Sequence, residues 1–209
     1  HLESMGLTLT RYRDGSLSSD QVLVVAPGGG KELAGDARAI ADWVKAGGNV
    51  LAIGLDSDEA NAFLPLKVST KSAEHIAAYF EPSGAASLLT GIGPADVHNR
   101  DPRELPLVSA GATVVGDGVL ATAQSGAVVF CQLAPWQFGY TGENRNVKRT
   151  FRRVSCLVTR LLANMGAAGE TRLLAHISQP AKEGETRWLD GLYLDVPEEW
   201  DDPYRFFRW

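Results

Sequence analysis

Ala39-Ile-Ala-Asp-Trp-Val-Lys-Ala-Gly-Gly-Asn-Val-Leu-Ala-Ile-Gly-Leu-Asp56 decides how the chain folds. Ile40, Ala41 and Val44, with Ala37 upstream, fall on one face of a helix over residues 36–46. Gly47-Gly48 stops that helix, and Asn49-Val-Leu-Ala-Ile53 follows as a short central strand. Asp56-Ser-Asp-Glu-Ala-Asn61 then offers a cap and early acids for a further short helix, which Pro65 must end. The strand therefore turns sharply into a helix at residue 54. Such a turn displays whatever side chain stands at its apex, and Gly54 has none.

Upstream, Val22-Leu-Val-Val-Ala26 is a continuous apolar run of the kind found in strands buried on both faces, and Pro27-Gly-Gly-Gly30 ends it. Strand, helix and strand with short connections make the crossover unit of a doubly wound α/β sheet. Leu7-Thr-Leu-Thr-Arg-Tyr12 alternates as a strand, and residues 73–80 read as a short helix. Residues 91–105 form a polar, proline-containing loop. Beyond it, strands are predicted over residues 107–110, 112–115, 119–122 and 127–131. Gly116-Asp-Gly118 and Ser125-Gly126 divide the later ones at antiparallel-hairpin spacing. From Val147 to Met165, apolar residues recur at 147, 151, 154, 158, 161 and 165, the period of an amphipathic helix that Gly166 closes. Lys148, Arg149, Arg152, Arg153 and Arg160 occupy its other faces, which are read as solvated.

With 209 residues, 44% of them hydrophobic, the chain is long enough for one substantial core. Its net charge of −5 gives no reason to expect nucleic acid or an anionic membrane as partner. No apolar run approaches the roughly 20 residues of a membrane span, and His1-Leu-Glu-Ser-Met-Gly6 lacks the features of a signal peptide. The compartment of the parent protein stays open between secreted, periplasmic and other sites. Residues 1–5 closed by Gly6 read as a last helical turn, so the chain is expected to be part of something longer. Cys131 and Cys156 both lie in apolar runs and are expected to be buried thiols. The tail over residues 181–209 carries Trp188, Tyr193, Trp200, Tyr204, Phe206, Phe207 and Trp209 among acids. Rings of that size are costly to leave in water, so the tail is expected to pack as an extended strap on this domain or a neighbour. Residues 1–180 then form the α/β domain proper.

Cysteine-based acyl transfer needs a thiolate on a strained turn, a base and oxyanion donors. Gly54 supplies no nucleophile, and His1, His75, His98 and His176 form no recognisable arrangement with either cysteine. Pro27-Gly-Gly-Gly-Lys31 departs from the phosphate-loop pattern, because Glu32 stands where a hydroxyl is required. The polar run Asp96-Val-His-Asn-Arg-Asp-Pro-Arg-Glu104 is a poor cation site, with one histidine beside two arginines. Its acids Asp96, Asp101 and Glu104 leave a hydrolase reading open, and His98, Arg100 and Arg103 are candidates for a ligand or an interface. Pro135-Trp-Gln-Phe-Gly-Tyr140 follows a strand and so emerges at the carboxyl end of the sheet, where open α/β sheets bind ligands. Trp136, Phe138 and Tyr140 are candidates to stack on a sugar or an interface. No metal or cofactor is expected.

Together, Val22-Leu-Val-Val-Ala-Pro-Gly-Gly29, Trp43-Val-Lys-Ala-Gly-Gly-Asn-Val-Leu51, Gly54-Leu-Asp-Ser-Asp-Glu59 and Val129-Phe-Cys-Gln-Leu-Ala-Pro-Trp136 resemble the class I glutamine amidotransferase-like domains appended to large glycoside hydrolases. The chain resembles the β-galactosidase trimerisation domain among these, and the C-terminal run from Leu192 to Trp209 resembles the ends of such multidomain proteins. The resemblance implies a flavodoxin-like fold with a mostly parallel sheet, helices on both faces, additional antiparallel strands and an aromatic tail. It also implies that the first strand and helix of the fold are missing before Leu7. Gly54 stands where that family places its nucleophile, so no catalytic residue is carried over. The implied role is a non-catalytic accessory domain that joins subunits or meets other domains of a β-galactosidase-like parent. A carbohydrate-binding module, using the rings at 136, 138 and 140 with Arg100 or Arg103, is the alternative. A hydrolase using the acids of residues 96–104 is the second.

Overall fold

The computed structural model describes residues 2–3, 7–13, 16–138 and 145–167. The helix-capping role read for Gly6, the candidate Tyr140 and the strap over residues 181–209 lie outside the described residues.

The fold is mixed α/β. Strands β1 (Val22–Val25), β2 (Asn49–Ile53), β5 (Thr113–Val115), β6 (Leu120–Ala123) and β7 (Val128–Cys131) form one five-stranded sheet in the order β1-β2-β7-β6-β5. Strands β3 (Ser69–His75) and β4 (Arg103–Ala110) form a separate antiparallel pair. The helices are α1 (Gly29–Glu32), α2 (Ala37–Lys45), α3 (Ser57–Phe63) and α4 (Arg145–Asn164).

Period-two alternation in the strands divides the core into two layers. Leu51 and Ile53 of β2, Leu120 of β6 and Val129 and Cys131 of β7 pack with Val154, Leu157, Val158 and Leu161 of α4. On the opposite face, Val50, Ala52, Ala121, Val128 and Phe130 pack with Ile40 and Val44 of α2 and with Ala60 and Phe63 of α3. Helices thus cover both faces.

Local chemistry places the elements much as expected. Helix α2 ends with Gly47 at φ +103, where Gly47 N donates to Val44 O and Gly48 N to Trp43 O, both at 3.0 Å. Helix α4 ends in the same way: Gly166 has φ +91, and Ala167 N donates to Leu162 O at 2.8 Å. Both are glycine closures that satisfy terminal carbonyls. Asp56 Oδ1 caps α3 by accepting from Glu59 N at 2.9 Å.

Five expectations are corrected. The sheet is mixed and not mostly parallel: β1–β2 and β2–β7 are parallel, whereas β6–β7 and β5–β6 are antiparallel. Among the described residues only β2 pairs with β1, which lies at the edge of the sheet they form and alternates between half-buried and buried residues. The predicted helix over residues 73–80 is largely strand: β3 runs to His75 in register with β4, from Ser69 opposite Ala110 to His75 opposite Arg103. Residues 7–12 form no strand. Finally, Arg149 and Arg153 are 8% and 4% exposed, so that flank of α4 is not solvated.

Candidate functional site

Three loops meet at the carboxyl ends of the parallel strands. Gly54, at the exit of β2, has φ +66 and extends the ladder by donating its N–H to Cys131 O at 2.9 Å. A Cβ built on it would meet Pro27 Cγ at 3.6 Å and Ala134 Cβ at 3.8 Å, ordinary contacts. The apex therefore has room for a side chain and holds the left-handed backbone in which a strand-to-helix turn presents one. The chain places hydrogen there.

Beside the apex, the loop after β1 is already engaged. Gly28, at φ +94, donates its N–H to Glu59 Oε1 at 2.7 Å. Glu59 reaches it from α3, which packs directly on α1: a Cβ on Gly30 would lie 2.5 Å from Glu59 O. A backbone amide aimed at this edge is the type of donor that would hold a developing oxyanion. Here a carboxylate of the same chain takes it. Gln132, fully buried just past β7, ties the edge together by donating Nε2 to Leu55 O at 3.1 Å.

Neither cysteine approaches the apex as a nucleophile. Burial pushes the Cys131 thiol up to about 12, and the thiol donates to Leu133 O at 3.3 Å. Cys156 is exposed on α4, which corrects the expectation of a buried thiol. Iodoacetamide at pH 8 is therefore expected to add a single label, at Cys156, while the protein stays folded. Peptide mass mapping checks this, and rapid native labelling of Cys131 would contradict its protonated, enclosed state.

Of the candidates His98, Arg100 and Arg103, the first two meet α4 through their backbone, and Arg103 meets the segment after β7 at Phe138. Arg103 Nη2 lies 2.5 Å from Asp101 Oδ2, and its guanidinium stands 5.7 Å from the centre of the Phe138 ring. His98 O accepts from Arg153 Nη1 at 2.5 Å. Arg100 N donates to Thr150 Oγ1 at 3.2 Å. Asn99, fully buried, accepts from Asp101 N at 2.9 Å through Oδ1 and donates its own N–H to Ile76 O at 2.7 Å. Helix α4 thus docks on the loop through polar contacts from Thr150 and Arg153.

The ring candidates separate. Phe138 is fully buried in the α4-side core, whereas Trp136 is 47% exposed in the 3-10 turn Pro135–Gln137. The acids of the loop are held by local partners. Asp96 Oδ2 accepts from Gly93 N at 2.8 Å, Asp101 pairs with Arg103, and Glu104 Oε2 accepts from Ser72 Oγ at 2.7 Å. Among the described residues, no three His, Cys, Asp or Glu side chains gather as a metal site requires. No helix among them is long and apolar enough to cross a membrane.

An open depression of about 1180 Å³ lies elsewhere, at the amino ends of β2 and β7, lined by Asn49, Gly111, Thr122, Ala127 and the turn over residues 84–88. None of the candidates lines it. Sequence reasoning missed Glu59, Asn99 and Thr150. For Glu59 the signal was present: a triglycine loop exposing amides, and an acid at the start of the next helix on the neighbouring strand.

No family model, no curated protein and no solved structure matches the chain.

Proposed function

We propose that this chain is a non-catalytic accessory domain, structural or oligomerising, of a multidomain glycoside hydrolase of the β-galactosidase kind. In this reading its α/β layers follow a flavodoxin-like, amidotransferase-type plan whose nucleophile position has become Gly54. The observation that carries the reading is the backbone at the apex. Its positive φ suits a nucleophile turn, it has room for a side chain, and it carries none. The Glu59 carboxylate on Gly28 N–H adds support, since it occupies an amide that acyl-transfer chemistry would need. The sequence resemblance supplies the kind of parent protein.

The test uses the intact parent. Gly54→Ser is expected to cost about 1–2 kcal/mol of stability, the strain of a left-handed non-glycine residue, and to leave turnover of an aryl β-galactoside within about twofold. Loss of turnover in a folded Gly54→Ser protein would end the non-catalytic reading. Deleting the domain is expected to change the sedimentation coefficient of the assembly beyond the lost mass. An unaltered assembly would remove the oligomerising role.

A further inference from the structure

We draw no further inference here: the strongest candidate, the open depression at the amino ends of β2 and β7, is lined by uncharged and mostly small residues, and nothing among the described residues shows what would occupy it.

Discussion

Gly118→Ala is expected to destabilise the protein by more than about 4 kcal/mol, a size reached only when a substitution meets a named structural obstacle. Gly118 has φ +92, and a Cβ there would lie 2.1 Å from Val108 O and 2.9 Å from Val108 N. Both neighbours are backbone atoms of β4, so no side-chain rotation relieves the overlap. The residue sits in the turn between β5 and β6, where that hairpin approaches the β3–β4 pair. Gly111, just past β4, makes an equally close approach to the chain entering β3, with φ +83 and a Cβ only 1.9 Å from Lys67 O. An alanine at 118 must push the β5–β6 hairpin off β4, and one at 111 must part the end of the β3–β4 pair, each in addition to about 1–2 kcal/mol for the left-handed backbone. Gly126, in the next hairpin turn, is the control. It has φ +98 but nothing within 4 Å of its Cβ position. Gly126→Ala should therefore cost only the backbone strain. Urea unfolding of the three variants separates the two causes. Equal midpoints for Gly118→Ala and Gly126→Ala would mean that the close approach to β4 contributes nothing.

That contrast also marks where reading the sequence stops. The Gly-Asp-Gly and Ser-Gly turns were legible, because turn chemistry is local and Gly116, Gly118 and Gly126 all take positive φ. What lies against a turn is not local. The same division runs through the fold. β1, α2 and β2 were legible from an apolar run, a helical stripe and a double glycine, and α4 from its period. β3 was not. Its sequence, Ser-Thr-Lys-Ser-Ala-Glu-His, has little apolar alternation, and Ala73 and Glu74 within it, with Ala77 and Ala78 after it, suggest a helix. Pairing with β4 along its whole length makes it a strand, a tertiary effect that overrides propensity. In the candidate site, Gly54 was legible because its neighbours in sequence set the strand and the helix around it. The meeting of Arg103 with Phe138, and of Asn99 with Thr150, joins residues 35 and 51 positions apart and has no local signature. Arg149 and Arg153 were read as solvated for the same reason: their charge was visible, and the loop packed against them was not.

Phe138→Ala is expected to cost about 3–5 kcal/mol, the range for truncating a buried phenylalanine, while Trp136→Ala should cost under about 1 kcal/mol. The two residues share one short turn and were candidates for the same role. Phe138 has no exposed surface, packs in the cluster that includes Leu133, Val154 and Leu157, and carries the Arg103 guanidinium over its ring. Its removal opens a cavity under the N-terminal half of α4 and deprives Arg103 of its platform. Trp136 has nearly half its surface in solvent and little to lose. A domain of this size has a net stability of roughly 5–15 kcal/mol, so the Phe138 change approaches the whole margin. Thermal and urea unfolding of both variants check the difference. A small loss for Phe138→Ala would mean that its ring can leave the core, which would return it to the set of side chains able to face a ligand. A large loss restricts ring recognition at this turn to Trp136. The turn then acts mainly as the anchor that holds α4 and the 98–103 loop against the carboxyl edge of the sheet.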